Sequence, residues 1–157
     1  MLSCFDIANY FIWLANETGS FVSNLKLQKL VYYTQAWHLG INGTPLFDQD
    51  FEAWIHGPVI PALYDRYKSF GWKPIVQEIP KPQFSEDLHQ FLQSVTDVYF
   101  ACDAYELERM TYVEDPWRLA RGNLPMDAPS HAIISKESMR KFFAARAEET
   151  EENLTAA

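Results

Sequence analysis

Apolar residues recur at the three- to four-residue spacing of an α-helix through most of this 157-residue chain, and turn residues separate the repeats. In the second repeat, for example, Leu27, Leu30 and Val31 begin one continuous stripe. A helix buries such a stripe against its neighbours, so the chain is expected to fold as helices packed on helices. The spacing and the turn signals predict seven helices, at about 4–16, 23–40, 59–70, 85–102, 104–113, 116–121 and 135–148.

The sequence therefore predicts an all-α fold, a mostly helical single domain with at most one short β-ribbon. The stretches 50–56 and 74–79 read as extended, so these two are expected to pair as the ribbon. A chain of this length fits one domain, which we place at 1–147. The remaining residues, 148–157, begin with an acidic run and are expected to form a flexible tail.

The charge of the chain argues against several classes of partner. The net charge is −8, whereas a nucleic-acid binder needs a basic patch, and the basic residues here are scattered. The apolar N-terminal stretch is too short and too polar to cross a bilayer, and no basic residue precedes it as in a signal peptide. Cys4 and Cys102 lack a CxxC spacing and are expected to be reduced. We predict a cytoplasmic protein without direct nucleic-acid or membrane contact.

The sequence lacks the short motifs that carry common chemistries. It has no GxSxG elbow, no HExxH and no CxxC pattern, and its six glycines are not clustered into a phosphate-binding loop. Both cysteines fall on apolar helical stripes, where a thiol is usually an inert core residue. The prediction is a protein that is not an enzyme, with no catalytic residue, no metal and no cofactor. One alternative stays open, a small enzyme that uses His56.

The stretch FEAWIHGPVIP, residues 51–61, has the composition of a structural corner. Gly57 permits a backbone conformation that other residues avoid, and Pro58 pushes the residue before it toward an extended shape. The helix that follows can begin at either proline, because the first turn needs no N–H partner. Trp54 is expected to pack inward. His56 lies at the junction, where it could form an internal hydrogen bond or face a partner.

Two stretches carry an ordered set of motifs, SNLKLQKLVYYTQAWHL at 23–39 and PLFDQDFEAWIHGPVIPALYDRY at 45–67. Together they resemble the Panacea, or SocA-like, antitoxin domain, whose members are also described as phage-associated proteins. The Lys-Leu-Leu-Tyr-Tyr-like core of that family is matched by residues 29–33, and its Ala-Trp and Gly-Pro-Val motifs by 53–54 and 57–59.

A second part of the family pattern lies further along the chain. There the family has Thr-His, an acid and Pro-Trp, and this chain has Thr111-Tyr112, Glu114 and Pro116-Trp117. Tyr112 thus stands where the family has His, and His56 stands where Tyr is common in the earlier motif. The resemblance covers about 5–145, nearly the whole chain.

The resemblance implies an antitoxin that neutralises a cognate toxin by direct protein–protein binding, with the toxin encoded by an adjacent gene. Partner contacts are expected from Lys29, Tyr33 and His56. The structural motif residues are expected to be Trp54, Gly57, Pro58, Pro116 and Trp117. An acidic surface would suit a toxin with a basic active site. Two further alternatives are an adaptor that delivers a toxin to a protease and a DNA-binding regulator, which the charge disfavours. The oligomeric state is left open.

Overall fold

Seven α-helices and a three-stranded sheet build the fold in a computed structural model that describes residues 1–156 and the side chains of 1–150. The predicted mostly helical fold with seven helices is confirmed. A short 3-10 turn, Lys68–Phe70, follows α3. The elements in chain order are α1 Cys4–Thr18, α2 Asn24–Asn42, β1 Phe51–Trp54, β2 Gly57–Val59, α3 Pro61–Tyr67, α4 Glu86–Tyr99, α5 Ala104–Tyr112, α6 Asp115–Arg121, β3 Ile133–Ile134 and α7 Lys136–Ala156.

Local capping signals set where several of these helices begin. The hydroxyls of Ser23 and Ser85 each accept a hydrogen bond from the backbone N–H three residues on, at 3.2 and 3.3 Å. Asp103 and Glu106 form a reciprocal capping box before α5. These bonds satisfy backbone donors that a helix start leaves unpaired. The sequence predicted all three starts because the signal lies within a few residues of each one.

The centre of the fold is α2, which packs against α1, α3, α4, α5 and α7. The predicted end of this helix at Gly40 is wrong, because α2 continues to Asn42 and Gly43 caps it with a φ of 76°. Gly40 instead marks the crossing with α7. A Cβ at Gly40 would lie only 2.6 Å from the backbone carbon of Phe143. The glycine is therefore needed for the close approach of the two helices.

A small antiparallel sheet lies beside the helices, with strand order β2-β1-β3. β1 and β2 form a hairpin in which Trp54 pairs with Gly57, so Ile55 and His56 make the turn. β3 pairs with the other edge of β1. The sheet thus ties the middle of the chain to the segment just before α7.

The predicted ribbon between 50–56 and 74–79 is wrong. β1 pairs with its immediate neighbour in sequence, and within residues 1–156 the stretch 74–79 makes one isolated bridge, between Pro74 and Ser23. A hairpin with a two-residue turn costs less chain entropy than closing a loop of about twenty residues. The local pairing is therefore favoured over the distant one.

The last helix runs further than the sequence predicted, past Glu148 to Ala156. The predicted flexible tail at 148–157 stays a prediction, because residue 157 and the side chains of 151–157 lie outside the described residues. The placement of the domain at 1–147 likewise stays a prediction. Across residues 1–156, none of the helices is both long enough and apolar enough to cross a membrane.

Candidate functional site

The hairpin of β1 and β2 brings the motif residues together, and Gly57 makes its turn possible. The predicted corner is thus a hairpin, and α3 begins only at Pro61. Gly57 has a φ of 98°, which disfavours any residue with a Cβ. A Cβ at this position would also lie 2.6 Å from Cε of Lys29 and 3.0 Å from the hydroxyl of Thr111. Both the backbone and the available space therefore require glycine here.

Lys29 reaches the hairpin from α2 and is completely buried. Its Nζ donates a hydrogen bond to the carbonyl of Pro58 at 3.1 Å. Burial lowers the pKa of Lys29 to about 7, and the negative charge of Glu108 opposes this only in part. The Lys29 amine can donate this bond in either protonation state, and it thereby links α2 to β2 inside the protein.

The burial of Lys29 makes the stability of the fold depend on pH. The pKa of Lys29 is about 7 in the folded chain against an ordinary value of 10.5 for lysine, so the unfolded state binds this proton more tightly. Stability is therefore expected to increase as pH rises from about 7 to 9, by at most about 1.4 kcal/mol per pH unit. In Lys29→Met this contribution should be absent. Urea unfolding of both proteins across that range measures it.

Comparing the two slopes removes the contribution of the other titrating groups, because both proteins share them. The lost hydrogen bond to Pro58 changes the absolute stability of Lys29→Met but not its slope with pH. Parallel pH profiles for the two proteins would contradict a lowered pKa of Lys29.

Glu108 on α5 connects the exposed tip of the hairpin to the core. Nδ1 of His56 donates to Oε1 of Glu108 at 2.8 Å, and the hydroxyl of Tyr112 donates to the same oxygen. The Tyr112 hydroxyl also lies 2.7 Å from the carbonyl of Ile55. His56 is exposed, whereas Glu108 is buried. The two positions where the chain departs from the family pattern, 56 and 112, therefore meet at one carboxylate.

A second set of contacts joins the hairpin to α6. Nε1 of Trp117 donates to the carbonyl of Trp54 at 2.8 Å, and Arg121 donates to the carbonyl of Ala53 at 3.0 Å. The Arg121 guanidinium also lies over the Trp117 ring, 4.7 Å from its centre. Pro116 is buried in the first turn of α6. These contacts bring the two distant Trp-containing motifs of the sequence into one packed unit.

Glu114 forms a third cluster, beside α6. Its Oε1 accepts from the hydroxyl of Tyr33 at 2.7 Å and its Oε2 accepts from Arg146 at 2.8 Å. The Tyr33 ring stacks on Tyr99, with centroids 4.2 Å apart. Burial raises the pKa of Glu114, while the bonds from Tyr33 and Arg146 act in the opposite direction. α6 begins at Asp115, one residue before the predicted start at 116, and the buried Glu114 occupies the N-cap position.

The structure separates the three predicted contact residues into two kinds. Lys29 and Tyr33 have no exposed surface, so in this conformation neither side chain can touch a partner. His56 is exposed at the tip of the hairpin, and its role as a contact residue stays a prediction. Glu108 and Glu114 link these residues. Sequence reasoning named Glu114 only as the acid of the family motif, and it missed Glu108. The spacing of Glu108 four residues before Tyr112 on α5 is the one local signal for it.

The chemistry open to His56 is limited. Glu108 orients its imidazole, as an acid orients the base of a hydrolytic triad. A shallow apolar pocket of about 200 Å³ lies beside it, lined in part by Trp54 and Ser130. Among the described side chains, however, no hydrogen bond joins the Ser130 hydroxyl to His56. The described residues also include no group of three or more His, Cys, Asp or Glu placed to hold a metal ion.

Comparisons with known proteins agree with the motifs that meet in this site. A family model described as antitoxin SocA-like, Panacea domain, matches residues 27–118, more than half of the chain. Antitoxin SocA of Caulobacter vibrioides (strain NA1000 / CB15N) is 36% identical over 83 residues, which are 53% of this chain and 44% of that protein. The match thus spans less than half of the relative's length. No solved structure matches the chain.

Proposed function

The chain belongs to the antitoxin SocA-like, Panacea domain family, and from this we propose that it is an antitoxin that neutralises a toxin by direct binding. In this proposal it acts without catalysis, in the cytoplasm, on a toxin encoded by an adjacent gene. The observation that carries the proposal is the family match. The matched residues, 27–118, include the hairpin, Lys29, Tyr33, Glu108 and Glu114, so the match covers most of the assembled site, all but Arg121 and Arg146.

The internal bonding of the site supports a binding role. Among the described side chains, every buried nitrogen or oxygen has a hydrogen-bond partner. The side chains of Lys29, Glu108 and Glu114 are thus occupied in holding α2, α5, α6 and α7 to the hairpin and to each other. A surface held in place before binding loses less conformational entropy when a partner docks. This arrangement suits a protein that works by binding.

The charge supports a particular kind of toxin. The net charge of −8 would attract a toxin whose active site is basic, as enzymes that act on nucleic acids or nucleotides often are. Attraction of this kind speeds association and weakens with added salt. The complex is therefore expected to form more slowly at high ionic strength.

Co-expression tests the proposed function. The adjacent gene product is expressed in a host that it kills alone, with and without this chain. Growth should be restored, and the two proteins should elute together on size exclusion. Direct binding should leave the amount of toxin unchanged, whereas an adaptor should lower it only while the host protease is active. Unrelieved killing together with no complex at micromolar concentration would refute an antitoxin role for this pair.

The same assay tests the proposed contact at His56. His56→Ala should weaken the complex, and His131→Ala is the matched control. His131 is also exposed, and its Nδ1 likewise donates to a carboxylate, Glu52, at 3.1 Å. An affinity of His56→Ala equal to that of the original chain would remove His56 from the contact surface.

A further inference from the structure

The stretch 74–79, which the sequence marked as a strand, is extended and paired on one side alone. On that side the N–H of Ile75 donates to the carbonyl of Val22 at 2.9 Å, and Pro74 bridges to Ser23. The carbonyl of Gln77 accepts from the side chain of Asn16 at 2.8 Å. These bonds join the stretch to the end of α1 and the start of α2.

The other side of the stretch is an open edge. Backbone polar groups of successive residues point to opposite sides of an extended chain, so those of Val76 and Glu78 point away from residues 22–23. Within the described part of the chain, neither residue's backbone N–H or carbonyl has a hydrogen-bond partner. An unpaired edge of this kind is a template for another strand. Pro74 and Pro80 bound the open edge at both ends.

An apolar patch lies next to this edge. The register of the Ser23–Pro74 bridge, continued by two residues, sets Phe21 opposite Val76. Both of these side chains are exposed, whereas Val22 and Ile75 are buried. Phe21 is 74% exposed and Val76 is 80% exposed. Trp72, two residues before the bridge, is 85% exposed. Large exposed apolar and aromatic side chains are typical of protein-binding surfaces.

Acidic side chains line the groove beside the edge, and Lys73 and Lys81 flank the stretch at its two ends. A groove of about 730 Å³ follows the stretch and is lined by Val76–Pro80 and the end of α1. The charged residues of its lining are Glu17 and Glu78, both acidic and both exposed. A second copy of this chain would bring the same acids against each other. A segment with basic residues would instead complement them.

We propose that the edge at 76–78 accepts an extended, basic segment of a partner protein as an added β-strand. Val76 and Glu78 share one face of the stretch, so the segment carries an apolar and a basic residue two positions apart. The apolar residue packs against Phe21 and Val76, and the basic one pairs with Glu78. This proposal rests on the proposed function in one respect, because the toxin is the partner expected to supply the segment.

A peptide titration tests the edge without the toxin. The probe is the end-blocked peptide Lys-Thr-Val-Thr-Lys-Thr-Val, added to the full chain and followed by the amide signals of Val76 and Glu78 in NMR. Saturable shifts and slower hydrogen exchange at these amides are expected. The same peptide with Glu in place of Lys should not bind.

Two variants separate backbone pairing at the edge from nonspecific binding of the peptide. Val76→Pro removes the outward N–H and should weaken peptide binding by about tenfold or more relative to the original chain. Glu78→Lys leaves the backbone intact and should also weaken binding by about tenfold. Circular dichroism and thermal melting check that each variant folds.

Each outcome either supports or overturns the proposal that the edge at 76–78 binds a basic segment. Absence of binding at millimolar Lys peptide, equal binding of the Glu peptide, or unchanged binding by Val76→Pro would overturn it. A stable dimer of the chain that Val76→Pro disrupts would overturn it in favour of a second copy.

Co-expression with the adjacent gene product then separates this proposal from the proposed function. If the original chain neutralises the toxin and Val76→Pro does not, both are supported. If both chains neutralise it and bind it equally, the edge is overturned and the antitoxin role stands. If the original chain fails to neutralise it, the antitoxin role for this pair fails, and the peptide titration alone decides the edge.

Discussion

Replacing Glu114 by Ala is expected to lower the free energy of unfolding by about 3 kcal/mol. Glu114 is 2% exposed and accepts hydrogen bonds from Tyr33 on α2 and Arg146 on α7. Without the carboxylate, the buried Tyr33 hydroxyl loses its acceptor and the Arg146 guanidinium loses its ion pair. The cost of a buried donor left without a partner is larger than the net gain from forming one hydrogen bond. Urea denaturation of the two proteins measures the difference.

Glu137→Ala is the matched control for this prediction. Glu137 also pairs with an arginine, Arg140, but both side chains lie on the surface of α7. An exposed ion pair adds little to stability because water and salt screen it. The free energy of unfolding of the Glu137→Ala protein should therefore equal that of the original chain within experimental error. Equal losses in the two variants would show that Glu114 does not act as a buried link.

Replacing Gly57 by Ala is expected to lower the free energy of unfolding by about 2 kcal/mol or more. Two effects add at this position. A residue with a Cβ is strained at a φ of 98°, and the Cβ would displace the Lys29 chain, whose Cε it would approach to 2.6 Å. Displacing Lys29 would also lengthen or break the buried hydrogen bond that it donates to the carbonyl of Pro58. Thermal and urea unfolding measure the loss.

Two control variants separate these effects. Gly43→Ala carries similar backbone strain, since Gly43 has a φ of 76°, but a Cβ there would meet no atom within 4 Å. The excess loss in Gly57→Ala over Gly43→Ala thus reports the contact with Lys29. His56→Ala, at an exposed position of the same turn, should cost less than Gly57→Ala. A larger loss for His56→Ala would show that the Glu108 bond, rather than the glycine, holds the turn.

If Gly57→Ala loosens the hairpin as expected, neutralisation should weaken as well, because the turn carries His56. Two sets of side chains support the turn. Lys29 and Thr111 lie closest to Gly57, and Glu108 bonds to His56. The proposed contact residue is therefore held by buried groups on α2 and α5.

The sequence by itself determined the helices, and it did so through local signals. Ser23, Ser85 and the Asp103–Glu106 capping box sit within one turn of the helix starts that they define. The need for an unusual backbone at Gly57 was also local, because only glycine tolerates a positive φ at little cost. The motifs identified the family, since their order along the chain is itself sequence information.

Only the tertiary structure decided which residues meet. Gly40 reads as a helix end, but its role is set by Phe143 of α7, about a hundred residues away. The sequence predicts Tyr33 as a contact residue, but its side chain is buried and its hydroxyl donates to the buried Glu114. The sequence likewise did not specify which strands pair with β1, because the pattern of an extended stretch does not identify its partner strand. Periodicity and caps act over a few bonds, whereas packing and buried hydrogen bonds depend on contacts between residues far apart in the chain.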